Sequence, residues 1–279
     1  MMETTLNMAT QKPALGSRLI GHPLVRIVLG VVLTFVWVPL IMIAASQLVA
    51  KPYRIVWPQL LAVVFVWFGY RFYVHRIEKR QPSELATQGM AREAGAGLLL
   101  GAGLAALSFA ALAALGAYRL DGINAVGLMI LVPLAELILV GMAEEMMFRG
   151  VIFGVTERSL GSKAAVVISA LAFSLAHLPN EGMSVLAVAV IAAYGVLQAA
   201  LYMRTRRLWV CIGTHIAWNY CVSQVFSATV SGHAANGGLL RGELSGNPLL
   251  TGGAFGVEAS LIALLLIAAT AVAVLRLRR

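Results

Sequence analysis

Among the charged or polar side chains inside stretches of sequence that are otherwise apolar, six have types and spacing that could do chemistry. They are Glu144, Glu145, Arg149, His177, His215 and Asn219. A carboxylate can deprotonate water, a histidine can assist the proton transfer, and imidazole or amide N–H groups can stabilise an oxyanion. At the centre of a bilayer an acidic or basic side chain costs about 2.5–3.5 kcal/mol, so such residues need partners or water. The set therefore predicts hydrolytic chemistry at a site within the membrane.

The spacing of Glu144, Glu145 and Arg149 gives these three charged residues different roles. Glu145 and Arg149 are four residues apart, which places them about 40° from each other on a helix and predicts an ion pair. Glu144 lies about 140° from Arg149 and is left as the free carboxylate. His215 and Asn219 also share one helix face. Taken alone, Glu144, Glu145 and Arg149 could instead form a buried charge network that holds helices together and has no chemical role.

The elements that position these residues are apolar helices. The chain is 60% hydrophobic and 12% charged, whereas a soluble domain is roughly 45–50% apolar and about 25% charged. Apolar runs cover residues 27–50, 55–74, 95–117, 124–155, 164–178, 183–203, 208–227 and 255–275. They predict an all-α, polytopic transmembrane bundle of eight spans. We expect a single transmembrane domain over 27–275, between cytoplasmic tails at 1–26 and 276–279.

The net charge of +9 reflects topology, not nucleic-acid binding, because the basic residues lie between the apolar runs. If both termini are cytoplasmic, sixteen of the 21 Lys and Arg residues lie inside or at inner helix ends, and Arg149 is buried. Only Lys51, Arg54, Arg119 and Arg241 fall outside. This asymmetry follows the positive-inside rule and predicts a multi-pass protein of the cell membrane with both termini in the cytoplasm.

The polar hinge between the fourth and fifth runs, residues 157–163, sets the depth of the predicted site. Glu144 precedes its centre by about as many residues as His177 follows it, so in a helical hairpin both lie about 25 Å along their helices from the hinge. His215 is only about 12 Å from the same side, measured from Arg207, so its helix must tilt or kink. We expect the cavity around Glu144 to open towards the cytoplasm.

Three further features concern packing. The Gly97 and Gly101 spacing permits the close approach of a neighbouring helix. Pro133 lies inside the fourth run and predicts a kink about three turns before the acidic pair. The Gly-rich segment 228–254 is predicted to be an outer loop without evident chemistry.

The three motifs resemble those of the CPBP family of intramembrane proteases, which includes the type II CAAX prenyl endopeptidases and bacteriocin-processing homologues. The matching residues are Glu144, Glu145 and Arg149, then Phe173 with His177, then His215 with Asn219. The resemblance covers about residues 124–221. It implies that Glu144 activates water with help from His177, and that His215 and Asn219 stabilise the oxyanion. Glu145 and Arg149 would support the site.

The need for a metal stays open at the level of sequence. Glu144, His177 and His215 are two histidines and a carboxylate, a ligand set known for catalytic zinc. No His-Glu-x-x-His motif occurs in the sequence, and the family that it resembles has been described both as metal-dependent and as metal-independent.

Two other functions also remain open. One is a membrane scaffold without proteolytic activity, which the intact Glu/His/His/Asn set argues against. The other is a proton-coupled carrier in which Glu136, Glu144 and Glu145 form a relay, which the absence of an internal repeat argues against. The expected partners are membrane lipids and a peptide or protein substrate near the membrane, whose identity the sequence does not give.

Overall fold

The computed structural model describes residues 19–235 and 237–277, so most of the two predicted tails, residues 1–18 and 278–279, lies outside it. The described part is mostly helical. Its α-helices are α1 (Pro23–Phe35), α2 (Trp37–Leu48), α3 (Trp57–Arg76), α4 (Met90–Ala114), α5 (Pro133–Glu145), α6 (Gly154–Ala176), α7 (Val185–Thr205), α8 (Trp209–Tyr220), α9 (Pro248–Thr251) and α10 (Leu261–Arg276). Each of the eight predicted apolar runs coincides with at least one of these helices.

Length and composition make this a membrane protein. Within the described residues, four helical segments are long and apolar enough to cross a bilayer, and a shorter apolar helix covers Leu261–Arg276. The four segments are Pro23–Leu48, Met90–Ala114, Gly127–Ala176 and Val185–Thr205.

The Gly127–Ala176 segment is a hairpin. Its 50 residues would extend about 75 Å as one straight helix, but the backbone leaves the helical conformation at Gly161, where φ is 83°. A positive φ suits glycine, which has no Cβ to clash. The chain then folds back, so that the rings of Phe148 and Phe173 meet edge to face at 5.0 Å. The predicted hinge at 157–163 therefore contains the break.

Helix α5 starts at Pro133, so the predicted kink at this residue was wrong. The preceding residues Gly127–Leu131 form a short 3-10 helix instead. Proline lacks a backbone N–H, and in the first turn of a helix that N–H would have no partner within the helix. Pro133 therefore begins the helix that carries the acidic pair.

Two π-helical segments adjoin the predicted site. One, Met146–Phe153, follows α5 directly after Glu145. The other, Cys221–Val225, follows α8 two residues after Asn219. Such segments are rare and are frequent at functional sites.

The all-α prediction was incomplete, because two short strands pair at one end of the bundle. Strand β1 (Tyr118–Ile123) and strand β2 (Leu240–Leu244) are antiparallel, with an irregularity between Leu120 and Gly122. Helical periodicity does not report a strand of five or six residues, and β2 lies in the segment that was predicted to be a plain loop. We call this end of the bundle the strand end and the end that contains Gly161 the hinge end.

Glycines bring α4 and α8 into backbone contact. A Cβ on Gly97 would clash with the carbonyl of Val210, and one on Gly101 would clash with the carbonyl of Thr214. From the other side, a Cβ on Gly213 would clash with the carbonyl of Ala94. The close approach that the glycine spacing predicts is therefore present, and it fixes the helix that carries His215 and Asn219.

Candidate active site

Helices α5, α6 and α8 bring four of the predicted residues to one cavity of about 1080 Å³. Glu144 lies near the end of α5, His177 directly follows α6, and His215 and Asn219 lie one turn apart on α8. All four side chains line the cavity. Glu144 lies four residues before Phe148, and His177 lies four residues after Phe173, the residue that Phe148 contacts across the hairpin. Glu144 and His177 are therefore equally far from this contact along their helices, as the predicted hairpin requires.

The two adjacent glutamates have different surroundings. Glu145 is fully buried, and its Oε1 accepts hydrogen bonds from Arg149 Nη1 at 3.2 Å and from Gln198 Nε2 at 3.1 Å. The same oxygen lies 2.9 Å from His215 Nδ1. Oε2 of each glutamate is buried without a hydrogen-bond partner, but the Glu144 side chain is 22% exposed and lines the cavity, whereas that of Glu145 does not. Glu145 is thus held by the protein through Oε1, whereas the Glu144 side chain faces the cavity.

His215 bridges the two glutamates. Because a carboxylate can only accept, Nδ1 must donate to Glu145, which orients the ring. Its Nε2 then lies 3.9 Å from Glu144 Oε2, beyond direct hydrogen-bond distance. The rings of Phe173 and Tyr194 also contact the imidazole at 6.2 and 5.8 Å. This arrangement directs Nε2 to the same region as the free oxygen of Glu144.

Arg149 is buried, and both of its Nη atoms have partners, whereas its Nε has none. It donates from Nη1 to Glu145 and from Nη2 to the carbonyl of Gly195 at 3.2 Å. Its guanidinium carbon lies 4.6 Å from the centre of the Phe173 ring, a distance at which a cation–π contact is favourable. The ion pair with Glu145 is present at the predicted spacing. Arg149 contacts Glu145, Phe148 and Phe173 and does not itself line the cavity.

His177 and Asn219 complete the polar wall. His177 Nδ1 lies 2.8 Å from the carbonyl oxygen of Phe173, which can only accept, so Nδ1 carries the proton and Nε2 is left without one in the neutral ring. The ring also packs against that of Phe173 in a tilted arrangement, with ring centres 4.7 Å apart. Asn219 is mostly buried, and its side-chain amide has no hydrogen bond within the described part of the chain. Both residues therefore keep polar atoms available for a ligand.

Sequence reasoning missed two polar residues that hold the site. Gln198, on α7, donates to Glu145, to Tyr194 Oη at 3.2 Å and to the carbonyl of Cys211 at 3.0 Å. Glu258, before α10, accepts from Trp218 Nε1 at 2.6 Å, next to Asn219 in sequence. Each is a polar residue inside a predicted apolar run. The free-energy cost of placing such a residue in the bilayer, which pointed to Glu144, would also have pointed to these two residues.

The cavity runs from Glu144 to the strand end of the bundle. It is lined at that end by residues before α5, after α6 and α8, and at the start of α3. Among them are Ile55, Gln59, Asn124, Met129, Asn180, Gln224 and His233. No lining residue comes from the hinge at 157–163 or from the Arg204–Arg207 segment. The sequence predicted that the basic hinge end faces the cytoplasm and also that the cavity opens towards the cytoplasm. The cavity reaches the strand end instead, so if the hinge end is cytoplasmic, the expected cytoplasmic opening was wrong.

The residues do not form a metal site in this arrangement. Among residues 19–235 and 237–277, no group of three His, Cys, Asp or Glu residues is placed to hold a metal ion. Of the candidate zinc ligands, His215 and His177 each use Nδ1 within the protein, and Glu144 Oε2 lies 3.9 Å from His215 Nε2.

Comparison with known proteins supports the resemblance of the motifs. Residues 125–221 match the family model described as Type II CAAX prenyl endopeptidase Rce1-like. No curated protein matches the chain, and neither does any solved structure. The matched segment contains all three motifs and ends just after Asn219. Residues 125–221 are therefore similar to the type II CAAX prenyl endopeptidase family, the resemblance that the motifs predicted.

Proposed function

We propose that the chain is an intramembrane endopeptidase that hydrolyses a peptide bond near a membrane-anchored segment, with Glu144 as the general base. The observation that carries this proposal is the contrast at the acidic pair. Glu145 is held through its Oε1 by Arg149, Gln198 and His215, while Glu144 makes no side-chain hydrogen bond within the described residues and lines the cavity beside His215. A carboxylate that keeps its lone pairs available can take a proton from water.

The first step activates water. A water molecule in the cavity donates one proton to Glu144 while its oxygen attacks the carbonyl carbon of the scissile bond. His177 assists by accepting a hydrogen bond from this water at its unprotonated Nε2. Water is excluded from the lipid around the site, so these groups act in a medium of low dielectric constant, where their interactions are stronger than in bulk water.

The attack converts the carbonyl oxygen into an oxyanion, which needs donors. The side-chain amide of Asn219 is one. His215 is the other, provided that Nε2 also carries a proton, because Nδ1–H is already committed to Glu145. Collapse of the intermediate breaks the C–N bond, and Glu144 returns its proton to the leaving amine.

Glu145 and Arg149 are positioning residues in this scheme. Glu145 orients the His215 ring, and Arg149 neutralises Glu145 and fixes it against α7 through Gly195. Gln198 adds a third support. Such supporting groups hold catalytic geometry within the tolerance that hydrolysis requires.

For the topology we propose eight spans within the cell membrane, with both termini in the cytoplasm and one transmembrane domain over 27–275. The distribution of basic residues supports this arrangement. A reporter that is active only outside the cytoplasm, fused after Arg279, should stay inactive; an active fusion would contradict the topology.

The decisive test of the function is Glu144→Gln, which keeps the size of the side chain and removes the base. Membrane peptides are compared between cells with the parent protein and cells with the variant, and a quenched peptide library is assayed in proteoliposomes. We expect cleavage to be abolished while thermal stability stays unchanged. The matched control is Glu243→Gln on the exposed strand β2, which should cleave as the parent does.

Two results would overturn the proposal. If the parent cleaves no peptide in either assay, the scaffold is the better account. If Glu144→Gln cleaves as fast as the parent, Glu144 is not the base. Proton-coupled solute uptake into the same proteoliposomes, abolished by Glu144→Gln, would favour the carrier instead.

A further inference from the structure

The cavity and the basic residues lie at opposite ends of the molecule. The cavity reaches from Glu144 to the strand end, where it is lined by residues of the β1–α5 connection and of the loop that precedes β2. Contacts across this end include Asn124 Nδ2 to the carbonyl of Gly238 at 2.8 Å and Asn180 Nδ2 to the carbonyl of Ser231 at 2.9 Å. These loops surround the mouth of the cavity.

The hinge end instead holds a set of arginines bound to carboxylates. Arg206 binds Glu157, Arg158 and Arg26 contact Glu78, Arg80 binds Glu84, and Arg207 lies 3.5 Å from Glu93. Of the Lys and Arg residues that the structure describes, twelve lie at the hinge end or at helix ends directed to it. Four lie at the strand end, and Arg149 is in the interior. Lys and Arg residues concentrate on the cytoplasmic side of membrane proteins.

From these two observations we infer that the active site is entered from the non-cytoplasmic side of the membrane. The hinge end faces the cytoplasm, so the mouth at the strand end faces the opposite compartment. The inference rests on the proposed function for its substrate: a peptide segment exposed on the outer face, whose scissile bond is drawn down the cavity to Glu144. Water for the reaction enters by the same route.

The charges of the cavity narrow the substrate further. Its ionisable lining residues are Glu136, Glu144 and three histidines, and its described lining includes no Lys or Arg. Glu136 is exposed there, about 12 Å above Glu144 along α5. A substrate carboxylate would enter against this charge, whereas a neutral or basic segment would not. The favoured substrate is thus a peptide segment on the outer face of the membrane. The part of this segment that enters the cavity is neutral or basic.

Thiol labelling tests the direction of access without requiring any catalysis. Single cysteines are placed in a Cys211→Ala/Cys221→Ala background at three positions: Ala234→Cys at the mouth, Glu136→Cys within the cavity and Lys163→Cys at the hinge. Intact cells are treated with a membrane-impermeant maleimide. We expect Ala234→Cys and Glu136→Cys to be labelled, and Lys163→Cys to be labelled only after the cells are permeabilised.

Every other pattern counts against the inference. Labelling of Lys163→Cys in intact cells, with the mouth position protected, would reverse the orientation. Labelling at the mouth but not at Glu136→Cys would mean that the cavity is closed to the outer side. Thermal stability of each variant in detergent confirms folding. Labelling measures accessibility and not cleavage. The inferred direction of access can therefore be wrong while the proposed protease function is right, and it can be right while that function is wrong.

Discussion

The carboxylates of the hinge end and those of the cavity have opposite surroundings. Glu84, at the hinge end, is bound by both Nη atoms of Arg80 and by Tyr70 Oη, and Glu157 is bound by both Nη atoms of Arg206. In the cavity, Glu144 and Glu136 have no arginine partner among the residues that the structure describes. Carboxylates at the hinge end are thus paired with arginine across helices, whereas the two carboxylates that line the cavity are not.

Glu145 and Arg149 lie between these two cases, and their removal should have the largest effect on stability. Both side chains are completely buried. Arg149→Ala would leave Glu145 charged and without its cation, which should lower the free energy of unfolding by about 3–5 kcal/mol. Thermal unfolding in detergent measures the loss. If Arg149→Ala is inactive but as stable as the parent, Arg149 acts on site geometry and not on folding.

A double variant serves as the control for this prediction. Glu145→Gln/Arg149→Met removes both charges together and keeps an acceptor for His215. Replacement of a whole buried ion pair is often close to neutral in stability. The double variant should therefore unfold at a higher temperature than Arg149→Ala, although His215 loses its carboxylate partner and activity falls.

Asn219→Ala should affect rate and leave stability unchanged, the reverse of Arg149→Ala. Its side-chain amide has no partner in the described protein, so its loss leaves no buried group unpaired. Loss of one oxyanion donor lowers kcat by about 10²–10³ in other hydrolases, and we expect that range here. Cleavage of the quenched peptide in proteoliposomes measures it. An unchanged kcat would remove Asn219 from the mechanism.

At the hinge end, Arg206→Ala should have a small effect. Arg206 and Glu157 are an ion pair with side chains 45% and 18% exposed, and pairs of this kind contribute about 0–1 kcal/mol. We expect the free energy of unfolding to fall by an amount in that range, and by less at high salt. The rate of cleavage should not change. A loss as large as that of Arg149→Ala would contradict the division between the two regions.

Chelators should have the smallest effect. The geometry places no three metal ligands together within the described residues, and the mechanism above uses side chains alone. We expect the purified protein to keep its activity after treatment with a zinc chelator. Stoichiometric zinc that is lost and restored together with activity would reverse this expectation.

Local spacing predicted much of the site, because it depends only on helix geometry. The Glu145–Arg149 pair, the hairpin that brings Glu144 level with His177, and the glycine contacts of α4 follow from residue intervals along one or two helices. The ion pair and the glycine contacts follow from positions one turn apart, where a helix sets the direction of the side chains, and the hairpin follows from similar residue counts on the two sides of the hinge.

Features that depend on the packing of distant segments were not predictable in this way. Gln198 reaches Glu145 only because α7 crosses the hairpin, and Glu258 reaches Trp218 from the start of the last helix region. The direction of the cavity depends on how the loops before α5 and β2 are arranged, and no local pattern reports that. Pro133 was misjudged because a run of apolar residues does not reveal where one helix ends and the next begins.

The π-helical segment Met146–Phe153 makes chain length part of the geometry of the candidate site. Hydrogen bonds from i to i+5 wind the backbone more loosely than an α-helix, so a helical wheel drawn at about 100° per residue holds for one turn, as at Glu145 and Arg149, and drifts from the true faces over the whole segment. Deleting one residue there would favour a return to α-helix and would turn Glu144 relative to Gly161. The number of residues between the base and the hinge, and not only their identity, sets which way the carboxylate faces.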